Sequence, residues 1–385
     1  MHLLAPLLLL TAYLPTGYTA PSKWIHPGVM ISQSQLDFVK NKVNSGQQPW
    51  SDAYNAMLGD KTMTPEHKPS PHTIVECGPY SDPDVGCKVE RDDSLAAYGS
   101  ALAWAIGGDK AHANHAIQIM DAYASTIQGH NNSNARLQAG WVGSVWARAG
   151  ELIRYTDAGW DEDAIERFGK MLSNVYMPLT VNGTDQNVAN WELAMNEAAI
   201  GMAVFLEDSA SYNRAMELFK ARVPATIYMK SDGDYPVAAR GQSSDPDAII
   251  DWWFGQSVFK ENGQSQELCR DLEHTGYSFA SISHVAETAR IQEDDLYKTD
   301  IGTRLRYGLG FQSQFSNGKE IPDWVCDGHL NLTLGPVTEV GYNALSFRMG
   351  FDMPETKKWT LKERPVGTNG LFVAFETLTH AENPA

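Results

Sequence analysis

From about Leu95 onward the apolar positions recur every three to four residues, in blocks separated by short polar turns. That spacing places each block's apolar side chains on one face of an α-helix. It predicts helices over 94–106, 111–125, 138–154, 161–174, 190–206 and 211–222, then over 266–291, 296–315, 338–349 and 371–378. No run alternates with the period of two expected of a half-buried strand, so the fold class is all-α. No fixed-period repeat is present, which argues against a regular solenoid and leaves bundles or a closed ring of helical hairpins. Between 230 and 262 the rhythm breaks into SDGDYPVAARGQSSDPDAIIDWWFGQ. A stretch so rich in Gly, Pro, Asp and aromatics is too long for an idle connection and is expected to lie over a groove. Its Trp252, Trp253 and Phe254 can serve either as stacking surfaces for sugar rings or as plugs onto the core.

Within the predicted helix 266–291 the first residues read QELCRDLEHTGY. Offsets of three, four and seven put Glu267, Arg270, Asp271, His274 and Tyr277 on one helix face, with Gln266 beside them. An acid, a guanidinium, an imidazole and a phenol together can hold an anion and move protons next to it. Read structurally, the same residues are a surface stripe or an ion pair between helices. Three other predicted helix starts carry polar and aromatic groups: Gln138 with Trp141, Asn190 with Trp191 and Glu192, and Glu339 with Tyr342 and Asn343. His112 and His115 are three apart, but no third ligand accompanies them, and they read as surface residues.

The chain has 385 residues, a net charge of −17, 11 Trp and 15 Tyr. Clustered Lys and Arg are lacking, so nucleic acid is not an expected partner. The apolar run from Leu3 to Leu14 is too short for a membrane span and reads as a secretory leader cleaved near residue 20. One catalytic domain, 21–385, would then be secreted, act as a monomer and need no cofactor. Four cysteines in an exported chain suggest two disulfides. Cys77 and Cys87 flank a short loop and form the first expected pair, leaving Cys269 with Cys326. Sequons at Asn131, Asn182 and Asn331 fit surface glycosylation.

The runs GPYSDPDVG, LQAGWVGSVWARAGELIRYT, NWELAMNEAAIGMAVFLED, QELCRDLEHTGY with HVAETARIQ, and GPVTEVGYN resemble the alginate-lyase-like polysaccharide lyases, from about Gly78 to Gly350. The resemblance implies an (α/α) toroid with a central cleft and a substrate such as alginate or glucuronan. It also implies roles in the β-elimination of a 4-linked uronate. His274 would take the C5 proton, and Tyr342, or as second choice Tyr277, would protonate the leaving O4. Glu267 and Arg270, with Asn190, would neutralise the uronate carboxyl, and Asp271 would orient His274 or pair with Arg270. Gln138, Trp141, Tyr277 and Gln266 would complete the substrate groove. Related lyases often carry an Asn-His pair where this chain has Asn190 followed by Trp191. The alternatives are a glycoside hydrolase using two of Glu192, Asp251, Glu267 and Asp271, or a binding protein without chemistry.

Overall fold

The computed structural model describes residues 20–385, so the leader expected over 1–20 lies almost wholly outside the described residues. The chain begins with α1 (Gln33–Asn44) and α2 (Trp50–Leu58), followed by α3 (Cys87–Gly107), α4 (Lys110–Thr126), α5 (Ala135–Arg154), α6 (Glu162–Met171) and the single turn α7 (Met177–Thr180). Next are α8 (Ala189–Leu206), α9 (Ser209–Arg222), α10 (Pro246–Trp252), α11 (Leu272–Ile291) and α12 (Asp300–Ser316). The short α13 (Glu339–Tyr342), α14 (Pro354–Glu363) and α15 (Glu376–His380) complete the chain.

Helices α3, α5, α8, α11 and α13 form an inner, parallel row, and α4, α6, α9, α12 and α14 pack outside them, giving an (α/α) toroid. Side-chain pairing establishes the parallel order. Arg91 and Gln138 meet in the first turns of α3 and α5, and Arg154 reaches the Phe205 carbonyl at the ends of α5 and α8. Small residues let α5 and α8 approach closely. A β-carbon on Gly140 would come within 3.2 Å of the Ala194 backbone, and one on Gly201 within 3.2 Å of the Ala147 methyl.

The only strands among the described residues form a small sheet beside the first turns of the inner row. β1 (Ile74–Cys77) pairs antiparallel with β2 (Asp84–Val85) and parallel with β3 (Gly129–Asn131). The disulfides are Cys77–Cys87 and Cys269–Cys326, as the spacing suggested.

Three sequence expectations are corrected. The helix predicted to begin at 266 begins at Leu272, because the Asp271 carboxylate accepts the His274 amide as an N-cap and residues 266–270 form turns before it. His115 is no surface residue: it is buried, with its ring bonded to Ser100 Oγ at 2.8 Å and to the His67 carbonyl at 3.2 Å. The long stretch after Lys230 contains α10 and a small core of its own, formed by Tyr228, Ile249, Trp253 and Phe259. Trp253 is therefore a plug, whereas Phe254 stays 40% exposed.

The ring interior is not purely apolar. Arg148 of α5 is bonded to Glu197 of α8, and His284 of α11 lies 2.9 Å from Glu197 and 2.7 Å from Glu376 of α15. All four are buried. Burial pushes the Glu197 carboxyl up and the His284 imidazole down, but the facing charges outweigh it. The carboxyl ends below its usual value of 4.5 and the imidazole above its usual 6.5. This cluster ties four helices at mid-height.

Its stabilisation should depend on pH with a definite sign. The His284 contribution is complete below about 6.5 and is lost as pH rises through the raised folded value, whereas that of Glu197 is complete above 4.5 and is lost on acidification. The melting-temperature advantage of wild type over His284→Gln should therefore shrink steadily from pH 6.5 upward in thermal melts. A difference that stays constant with pH would show that His284 folds neutral.

Candidate active site

Helix α8 has no capping side chain of its own at Val188. Its first amides are taken by the turn that precedes α11. Gln266 Oε1 accepts from the Ala189 amide at 2.9 Å, and Glu267 accepts from the Asn190 amide at 2.9 Å and from Asn190 Nδ2 at 2.7 Å. Arg270 Nη1 donates to the same Glu267 carboxylate at 3.0 Å. Its Nη2 donates to His274 Nε2 at 2.9 Å, and His274 Nδ1 faces both Asp271 oxygens at 2.8 Å. A guanidinium can only donate, so His274 Nε2 carries the lone pair and Nδ1 carries the proton held by Asp271. The Tyr277 ring lies 5.6 Å from His274, and its hydroxyl donates to Glu273 at 2.6 Å.

Exposure divides this row by role. Glu267 is only 1% exposed and both its oxygens are occupied, while the Arg270 and His274 side chains are 25% and 20% exposed. Glu267 is thus placed to hold Asn190 and Arg270 rather than to meet a substrate. Gln266, fully buried and also donating to the Trp252 carbonyl, is likewise a structural bridge. Burial raises the Glu267 carboxyl despite its donors. Burial also raises Asp271, but the hydrogen bonds from His274 outweigh it and the carboxyl lies below its usual range. The Tyr277 phenol is pushed far up by burial and by the Glu273 carboxylate, so it is a neutral donor at ordinary pH. The disulfide from Cys269 to Cys326 fixes the turn immediately before Arg270.

A second polar group stands at the same end of the ring. Gln138 is buried, donating to Glu90 at 2.7 Å and accepting from Arg91 at 2.7 Å. Arg91 also reaches Ser81 Oγ at 3.2 Å, and its guanidinium lies 5.9 Å from the centre of the Trp141 ring. Sequence reasoning missed Arg91, since α3 was expected to start at residue 94 rather than at Cys87. Gly86, just before CKVERDD, is the signal that could have found it.

Tyr342 is placed apart from His274. The preceding Gly341 abuts Ser283, nine residues along α11 from His274, which is about 13 Å at 1.5 Å per residue. Tyr342 packs there against the main core. Of the carboxylates considered for a hydrolase, Glu192 is buried against Arg222 and Arg240, Glu267 against Asn190 and Arg270, and Asp271 is held by His274, while Asp251 is exposed on α10. Two clefts of about 500 and 720 Å³ run along the outer face of α12, lined in part by Tyr307, Phe311 and Trp324, and are separate from this row.

A helical toroid whose parallel inner helices present a guanidinium, an imidazole and a phenol at one end has the parts of a polysaccharide lyase. The profile of the alginate lyase family matches residues 87–321, and the chain belongs to that family. Its fold is similar to that of alginate lyase A1-III with a bound tetrasaccharide, with a TM-score of 0.64 at 17% identity over 92% of this chain and 94% of the other. It is also similar to alginate lyase A1-III from Sphingomonas species A1, with a TM-score of 0.61 at 16% identity over 92% and 95% of the two chains. An alginate lyase from Bacteroides ovatus gives 0.54 at 13% identity over 92% and 99%. No curated protein sequence matches the chain.

Because Glu267 holds both Asn190 and Arg270, Glu267→Ala should leave buried donors unpaired and destabilise the protein by about 1–3 kcal/mol in urea unfolding. Unchanged stability together with unchanged turnover would remove Glu267 from the site's support.

Proposed function

We propose that this protein is a secreted lyase that cleaves a 4-linked polyuronate, alginate before glucuronan, by β-elimination at the mouth of the toroid. The observation that carries the reading is the continuous row Asp271–His274–Arg270–Glu267–Asn190, with Tyr277 beside it. Family membership and the alginate lyases of similar fold support it. The short apolar leader and two disulfides support export. Arg91 and Trp141 line the approach and contact the polymer, with buried Gln138 holding Arg91 from behind.

The chemistry follows from the geometry. A uronate carboxyl entering the mouth draws the Arg270 guanidinium off His274 Nε2, assisted by Asn190. The ion pair spreads the charge that builds on the carboxyl as C5 loses its proton. The freed Nε2 takes that proton, and Asp271 holds the resulting imidazolium. The C5–H electron pair forms the C4–C5 double bond, the C4–O4 bond breaks, and O4 takes the phenolic proton of Tyr277. Tyr277 is preferred to Tyr342 here because it stands next to His274.

Alginate or glucuronan treated with the protein should gain ultraviolet absorbance from the new double bond. Reducing ends appearing without absorbance would point to hydrolysis. Arg270→Ala should lower kcat by about 10²–10³ and also lower the melting temperature, since buried Glu267 loses its cation, whereas His274→Ala should lower kcat by about 10²–10⁴ with a melting temperature near wild type. Wild-type turnover by either variant removes that residue from the mechanism.

A further inference from the structure

The elimination leaves two protons in the wrong places: one extra on His274 and one missing from Tyr277. Before the next turnover the phenolate must be protonated again, by a group that exchanges protons with solvent. One neighbour opens to bulk water on the other side. Glu273 is exposed, lies one helical turn before Tyr277 on α11, and accepts the Tyr277 hydroxyl at 2.6 Å.

We propose that Glu273 is a proton relay that returns a proton from solvent to Tyr277 after each elimination, an assignment that rests on Tyr277 being the acid of the reaction. The step balances simply. A hydronium ion or buffer acid protonates the Glu273 carboxylate, and the carboxylic acid passes that proton along the existing hydrogen bond to the phenolate oxygen. Glu273 returns to its ionised state and Tyr277 to the neutral phenol. His274 separately releases the C5 proton to solvent once product leaves and Arg270 re-engages Nε2. Nothing is oxidised or reduced, and no further reactant is required.

Geometry favours a relay over simple support of the ring. Tyr277 is already located by its contacts with His274 and with Phe372, whose ring centre lies 6.1 Å away. A bond from its hydroxyl to an exposed carboxylate adds little to that placement, since exposed interactions contribute weakly. The same bond does set the phenol's proton against a group in contact with solvent. It also contributes, after burial, to raising the phenol, so that transfer from a carboxylic acid to the phenolate runs downhill.

The test uses the full-length protein carrying Glu273→Gln, whose amide oxygen still accepts the phenol but cannot carry a proton. The expected result is a kcat at least about tenfold lower with unchanged KM, restored in proportion to added formate or acetate buffer. Normal kcat in Glu273→Gln, beside an inactive Tyr277→Phe, overturns the relay and leaves the acid assignment standing. A loss that buffer does not restore, or a change confined to KM, also overturns it, since a positioning or charge-repulsion role predicts those outcomes. Full turnover by Tyr277→Phe removes the acid, and the relay falls with it.

Discussion

One buried carboxylate joins the two helix starts on which the site is built. Glu267 accepts the backbone amide and side chain of Asn190 at the head of α8, and the guanidinium of Arg270 just before α11. A carboxylate removed from water is costly unless its oxygens are filled, and here three donors fill them. The arrangement fixes the distance between the two inner helices at their open ends. It also points Arg270 toward His274, and through that imidazole toward Asp271. Removing the carboxylate would leave the Asn190 amide without its acceptor and an Arg free to adopt other rotamers.

Further into the ring the same logic recurs with different partners. Arg148, Glu197, His284 and Glu376 neutralise one another where four helices meet. Glu287 binds Arg348 and Arg290 toward the far end. Each cluster joins elements distant in sequence, so register along the parallel row is set by charge pairing as well as by the small-residue contacts between α5 and α8. Apolar packing alone tolerates sliding more readily than paired charges do.

Much of this could be read from the residues. Apolar spacing located the long helices from α3 to α12, and the short spacing of Cys77 and Cys87 gave one disulfide and left Cys269 with Cys326 as the other. Boundaries failed where polar chemistry replaced the apolar pattern. The first turns of α3 carry Glu90 and Arg91, buried against Gln138, His130 and Tyr176, so its start was read seven residues late and Arg91 was lost. The start of α11 was read six residues early, because Glu267 and Arg270 fit helical spacing although they sit in turns. An aspartate with a free amide three residues on is a capping signal, and Asp271 uses it. Helix α1 was overlooked despite Ser32 and Gln35, which form a capping box. The depth of Tyr342 was not legible, since it depends on how α13 docks beside Ser283, a long-range contact with no local trace.

The ionisable row lies in a dozen consecutive residues, Gln266 to Tyr277, clamped at Cys269 by a covalent bond to Cys326. The groups that approach from elsewhere, such as Ser81 and Trp141 beside Arg91, sit on other segments. On the proposed reading, reaction and selectivity are encoded in separable stretches of chain. Descendants of such a scaffold can acquire a taste for a different polymer by rewriting the collar, while the ring and its chemical strip pass on unaltered.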